Sequence, residues 1–319
     1  METAIECSNI TRVFGSRNPL TKKQQVKALD GLDLSIPRGI VFSLLGPNGS
    51  GKTTTIRIVS TLLTPTSGQA SVLGFDCVKE AGKVREKIGL ILGGDRGLFG
   101  RLTGVENLKY FAALNHMNRE ATGKRLKEII AMVGLTTSID RPVEQYSRGM
   151  KQRLHIARGL LTDPEILFMD EPTIGLDPQG ALELRQLIPK LIEQGKTILL
   201  TTHYMAEADA LSSQIAIINK GKITAAGTPS EIKHSFSKVS ILEVILRQVR
   251  ARVSEELSSV RGIERVSVVT DGPLQRLTLH VVPGVDVQPE VKRILDEKNI
   301  EYLAGREPTL EEAYLSIVK

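Results

Sequence analysis

Residues 46–54 read GPNGSGKTT. The stretch follows the apolar run Ile40 to Leu45 and precedes Thr53 to Leu63, which can form a helix, so it sits where a buried strand turns into a helix. Gly46, Gly49 and Gly51 admit backbone angles and close approaches that a side chain would block. With Pro47, Asn48 and Ser50 between them, successive N–H groups can curl around a phosphate chain. The helix start beneath, Thr53-Thr54, adds unpaired donors and a partial positive charge. Lys52 can then reach the terminal phosphates, and the Thr53 hydroxyl can hold Mg2+. The plainer reading is a glycine-rich turn that binds nothing; the strand-turn-helix setting argues against it.

Downstream, ILFMDEP places Asp170 at a strand end, where a carboxylate can hold Mg2+ through its water shell. Glu171, next along the chain, can orient and deprotonate an attacking water. A strand at Thr197 to Thr201 delivers Thr202 and His203. Adjacent acids and a lone histidine are often merely solvated or structural, and it is their company with the glycine-rich loop that points to phosphate chemistry.

Around these points the chain alternates strands and helices, which predicts a largely parallel sheet covered by helices, with the chemistry at the strands' carboxyl ends. Residues 3–14, TAIECSNITRVF, read as an antiparallel strand ending at Phe14, and Ala28 to Ile36 as its successor. Between them Arg17, Lys22, Lys23 and Lys27 read as an exposed basic loop. Strand candidates ASVLGFD and KIGLIL flank a polar segment at Lys79 to Lys87. Residues 98–163 take helical spacing and form a helical insert, within which Ser147 caps a helix running to about Thr162. Beyond residue 235 the pattern resets to βαββαβ, which predicts a small ferredoxin-like domain over 236–319, closed by an amphipathic helix from Thr309 to Val318. No catalytic constellation appears in that part, which reads as a packing or regulatory module.

Composition bounds the partners. The net charge is +6, yet residues 231–319 hold 13 Lys+Arg and 14 Asp+Glu, so the excess belongs to the nucleotide-binding part. Aromatic residues make up 4% of the chain and Trp is absent, leaving little on which to stack bases, so no nucleic acid partner is expected. No apolar run reaches the ~18 to 20 residues of a membrane span. The first residues lack a signal-peptide pattern, which predicts a cytosolic protein. Cys7 and Cys77 read as reduced, buried thiols.

Taken together, these stretches resemble the ATP-binding-cassette ATPases over residues 3–230. GPNGSGKTT resembles their Walker A loop, ILFMDE their Walker B strand, YSRGMKQR (146–153) their signature, and GLDP (175–178) the loop after Walker B, while His203 stands where the switch histidine is found. The resemblance implies a P-loop NTPase cassette with an antiparallel β subdomain, and ATP and Mg2+ as its ligands. It implies an ATP-dependent homodimer in which Ser147, Arg148 and Gly149 face the partner's γ-phosphate and Asp177 crosses the interface. Phe14 would stack on adenine, and His203 would hydrogen-bond the γ-phosphate and the attacking water. The family's usual Gln after the strand Ile88 to Leu92 is replaced by Gly93-Gly94-Asp95, where Asp95 is the candidate substitute near the metal. REPTLEEAYLSIV (306–318) resembles the tail of drug, antibiotic and lipid exporter subunits of the daunorubicin-resistance type. That likeness implies a separately encoded membrane permease and a cytoplasmic chain, peripheral on the inner face of the membrane. The alternative within the superfamily is a soluble, non-transport ATP switch.

Overall fold

The computed structural model describes residues 2–15, 25–92, 97–236, 240–282 and 284–317. The loop residues Arg17, Lys22 and Lys23 lie outside these, as do Gly93, Gly94 and Asp95. The chain divides into two compact units, residues 1–229 and 230–319.

The first unit opens with β1 (Thr3–Phe14) and β2 (Val26–Pro37), followed by β3 (Val41–Leu45) and helix α1 (Lys52–Val59). Next come β4 (Ser67–Val72), β5 (Phe75–Asp76), α2 (Ala81–Lys87) and β6 (Ile88–Leu92). The segment read only as a polar separator is therefore the helix α2. It buries Val84 alone, so it lacks the apolar periodicity by which a helix is recognised in sequence.

The helical insert comprises α3 (Gly104–Leu114), α4 (Arg119–Met132) and α5 (Arg148–Gly159). Thr103 and Glu106 close a reciprocal capping box on α3, and Ser147 accepts the Met150 N–H at 3.2 Å to cap α5. The remainder runs β7 (Ile166–Asp170), α6 (Pro178–Glu193), β8 (Thr197–Thr202), α7 (Met205–Leu211), β9 (Gln214–Asn219) and β10 (Lys222–Gly227).

Two sheets result. One is antiparallel, in the order β2-β1-β4-β5; the other has the order β10-β9-β3-β8-β7-β6, parallel except at the β10 edge. The parallel strands are buried on both faces, which explains their unbroken apolar runs. Ile166 and Phe168 of β7 join the core shared with α1 and the antiparallel sheet, whereas Leu167 and Met169 join the core shared with the helical insert. Cys7 and Cys77 are both buried, and burial pushes each thiol up to about 12. Both therefore remain protonated at neutral pH and act as small apolar side chains.

In the second unit, α8 (Pro229–Phe236) begins at the boundary. β11 (Ser240–Leu246), α9 (Val253–Ser258), β12 (Ile263–Asp271), β13 (Leu274–Val281), α10 (Gln288–Leu295) and β14 (Ile300–Arg306) then give the expected βαββαβ succession. Its sheet is antiparallel with order β12-β13-β11-β14, the split arrangement of a ferredoxin-like fold. Leu242, Val244 and Leu246 of β11 point to the helix-covered face, following the strand's period of two. The last helix, α11 (Leu310–Ile317), is tied to the sheet through Arg306. Its guanidinium donates to Glu312 at 2.8 and 2.9 Å and to Glu243 at 2.7 Å.

Candidate active site

The parallel order puts β8 between β3 and β7, with Leu45 opposite Thr202 and Asp170 opposite Thr201. The carboxyl ends of three neighbouring strands thus lie side by side, and each carries one part of the predicted chemistry.

From β3 the chain enters the glycine-rich loop. Gly46, Ser50, Gly51 and Lys52 are buried, while Pro47, Asn48 and Gly49 form an exposed rim. The glycine at 46 is sterically required: a Cβ there would press into the Ile218 carbonyl and lie 2.8 Å from Ser50 Oγ. Gly51, at φ +117°, packs against the Ala28 carbonyl and Leu29, so a side chain is excluded both by conformation and by space. The turn between β9 and β10 supports the loop from below, with the Gly221 N–H donating to the Ser50 carbonyl at 2.8 Å. Ser50 Oγ is buried and has no hydrogen-bond partner among the described residues.

Lys52 opens α1 with only 4% of its surface exposed. Its ammonium folds back over the loop, donating to the carbonyls of Gly46 at 2.7 Å and Pro47 at 3.2 Å, and lies 3.4 Å from Glu171 Oε1. The positive charge therefore sits inside the cradle that the loop forms. Thr53 Oγ1 donates to the Asp170 carboxylate at 3.0 and 3.2 Å, joining α1 to β7, and Thr54 follows on the half-buried first turn of α1. A hydroxyl beside a carboxylate is an all-oxygen pair of the kind Mg2+ takes when water and phosphate complete its shell.

Thr201, on the middle strand, organises both acids. Its Oγ1 donates to Asp170 Oδ1 at 2.5 Å and accepts the Glu171 N–H at 3.1 Å, and its carbonyl accepts that same N–H at 3.0 Å. Glu171 is held at φ +49°, a left-handed conformation that costs a side-chain-bearing residue about 1 to 2 kcal/mol. Strain of this size persists where surrounding bonds fix the backbone, and Thr201 supplies those bonds. The result turns the Glu171 carboxylate so that Oε1 lies near Lys52 and Oε2 lies 3.3 Å from His203 Nδ1. Nδ1 is buried, and this approach lacks hydrogen-bond geometry. The His203 ring packs against Tyr204, tilted by 36° with centroids 4.2 Å apart.

Lys52, Thr53, Asp170, Glu171 and His203 are thus one constellation. Ser147, Arg148, Gly149 and Asp177 belong to a second, at the adjoining N-termini of α5 and α6. Asp177 Oδ1 accepts the Gly180 N–H at 3.0 Å and lies 3.9 Å from where a Gly149 Cβ would be, while the Arg148 guanidinium lies 3.5 Å from the corresponding point at Gly175. Phe14 ends β1 with 39% exposure, and the Arg12 guanidinium covers one ring face at 4.7 Å. The sequence assigns no role in the site to Thr201, Thr202, Thr173 or Gly221. Thr201 and Thr202, buried at the end of β8, look like ordinary β-formers, and Thr173 and Gly221 look like ordinary turn residues, so only the folded arrangement exposes their roles.

Residues 29–174 match the family described as ABC transporter. The daunorubicin resistance ATP-binding protein DrrA3 of Streptomyces coeruleorubidus is 38% identical over 99% of this chain and 96% of its own length. The doxorubicin resistance ATP-binding protein DrrA of Mycobacterium tuberculosis is 34% identical over 99% of this chain and 94% of its own. Among solved structures, an ATP-binding cassette dimer in a post-hydrolysis state with ADP and Pi aligns at a TM-score of 0.62 and 29% identity. The alignment covers 70% of this chain and 98% of that one. No helix among the described residues is long and apolar enough to cross a membrane. On these grounds the chain belongs to the ABC transporter family of ATP-binding, ATP-hydrolysing cassettes.

Proposed function

We propose that this chain is the ATPase subunit of an exporter of drug-like or lipid-like compounds, working beneath a separately encoded permease at the inner face of the membrane. The observation that carries the catalytic part is the constellation at the ends of β3, β7 and β8: Lys52 in the cradle, Thr53 with Asp170, and Glu171 between Lys52 and His203. ATP binds with its phosphates in the loop Gly46 to Thr54 and its adenine on the open face of Phe14. Thr53 and Asp170 would hold Mg2+, which when bound neutralises charge on the β- and γ-phosphates. Glu171 accepts a proton from the water that attacks the γ-phosphorus; the bond to the β–γ bridging oxygen breaks, giving ADP and phosphate. His203 holds the γ-phosphate on the other side of that water.

The second constellation faces outward from the N-terminus of α5, where unpaired N–H groups favour an anion. Ser147, Arg148 and Gly149 would meet the γ-phosphate bound by a second copy, and Asp177 would lie across the join, so that two copies close on two ATP molecules. The dimeric state of the aligned cassette and the names of the resistance proteins support this reading. Residues 230–319 would serve as an accessory domain. Exposed Phe99 and Tyr110, whose rings meet edge to face at 4.8 Å, offer the permease an aromatic contact.

The test is ATP turnover against protein concentration for the wild type and Glu171→Gln, with size-exclusion chromatography in ATP. The expected result is a rate per molecule that rises with concentration, is abolished in Glu171→Gln, and is accompanied by an ATP-dependent dimer of that variant. A concentration-independent rate, or a Glu171→Gln variant as active as wild type, overturns the shared-site reading.

A further inference from the structure

Glu207 is a buried acid outside the constellation of Lys52, Thr53, Asp170, Glu171 and His203. It lies in the first turn of α7 and is 1% exposed. A carboxylate so placed is costly to bury unless hydrogen bonds hold it. Its Oε2 accepts from Thr202 Oγ1 at 2.6 Å and from Thr173 Oγ1 at 3.2 Å, whereas Oε1 is buried with no hydrogen-bond partner among the described residues. Burial pushes the carboxyl up, against the pull of those two hydroxyls and of the Arg185 and His203 charges.

The two threonines are what give this acid its meaning. Thr202 ends β8 immediately before His203, and its Oγ1 also accepts the Tyr204 N–H at 3.0 Å, so it fixes the backbone on both sides of the histidine. Thr173 follows Glu171 and Pro172 in the turn after β7, where Ile174 N–H returns to the Glu171 carbonyl at 3.2 Å. One carboxylate oxygen therefore joins the segment that carries the water-activating acid to the segment that carries the γ-phosphate histidine. A core filler would need neither bond, and an apolar residue of similar size would serve as well.

We propose that Glu207 is a positioning residue for ATP hydrolysis, which by bridging Thr173 and Thr202 holds Glu171 and His203 at their working separation. The inference rests on the assignment of Glu171 and His203 to activation of the water. It predicts a loss confined to the chemical step, because Glu207 touches neither the phosphate loop nor Lys52 in any bond described above. A misplacement of catalytic groups by a fraction of an ångström to one ångström lowers kcat by about ten- to a hundredfold. The substitution Glu207→Gln keeps an acceptor oxygen for the two threonines, whereas Glu207→Ala removes it.

The experiment uses the full chain with MgATP. Steady-state kcat and KM are measured for wild type, Glu207→Ala, Glu207→Gln, Thr173→Val and the Glu207→Ala/Thr173→Val pair, with Glu171→Gln as reference. The 13C-histidine NMR signals of nucleotide-free protein are recorded for the same set. The expected result is a kcat in Glu207→Ala lower by about tenfold or more with KM within about twofold, and no further loss in the pair. Rescue in Glu207→Gln, and displacement of the His203 signal in Glu207→Ala but not in Glu207→Gln, complete the expectation. Wild-type kcat and an unmoved His203 signal in folded Glu207→Ala overturn it, as does an equal rise in KM. If Glu207→Ala does not fold, the Gln variant decides: a His203 signal displaced in Glu207→Gln overturns the proposal. Should Glu171→Gln remain active, the site assignment fails instead, which separates the two ideas.

Discussion

Thr201→Val isolates the hydroxyl that binds the two acids together while leaving shape nearly unchanged. Thr201 is fully buried, so the substitution opens no cavity of consequence. It removes the 2.5 Å bond to Asp170 Oδ1, a hydrogen bond to a charged group worth about 1.5 to 3 kcal/mol. The Glu171 N–H retains the Thr201 carbonyl at 3.0 Å, so that donor is not orphaned. The net cost to the first unit should therefore be about 2 kcal/mol, seen as a lower urea midpoint with an unchanged slope for that unit's transition. Among the described residues Thr53 would then be the remaining side chain that orients Asp170, and loss of such an outer partner weakens metal sites by about 10- to 100-fold. A Mg2+ titration of ATP turnover should accordingly shift its midpoint upward by a factor in that range. An unchanged urea midpoint together with an unchanged Mg2+ midpoint would refute the argument. A lowered urea midpoint with the Mg2+ midpoint fixed would make Thr201 a stability residue only.

Gly46→Ala must displace the loop, because the added methyl meets the Ile218 backbone carbonyl, which cannot give way as a side-chain tip could; nucleotide titration should show ATP affinity reduced by about tenfold or more, and wild-type affinity would contradict the packing. Glu207→Gln should gain stability relative to wild type as pH rises above the ordinary glutamate value of 4.5, since a carboxyl raised by burial binds its proton more tightly when folded, and wild type loses that contribution with rising pH. Melting temperatures of the two proteins between pH 5 and about 8 check the sign, and a constant difference would show that burial does not raise Glu207.

What could be read from sequence, and what could not, divides along a physical line. The phosphate loop was legible because glycine is demanded at positions where a Cβ would strike backbone, as Gly46 and Gly51 show, and such demands leave a fixed spacing in the chain. Asp170 and Glu171 were legible as acids at the end of an apolar run, and the βαββαβ order of the second unit from simple alternation. By contrast, α2 buries one residue and so lacks a helical period, and the hairpin of β9 and β10, though its first strand is the apolar run Ile215 to Ile218, carries no motif that ties it to the phosphate loop. Thr201, Thr173 and Glu207 were missed for a different reason. Their roles arise between β7, β8 and the start of α7, from a register that places Asp170 opposite Thr201. A hydroxyl's partner across a sheet has no fixed distance along the chain, so no local pattern could mark it. Yet these bonds hold Glu171 in its left-handed backbone and bring its carboxylate to His203. The groups proposed to bind ATP thus stand in short motifs, while the groups that hold them in place are set only by the fold. Substitutions at the second kind should therefore alter kcat while leaving every recognisable motif intact.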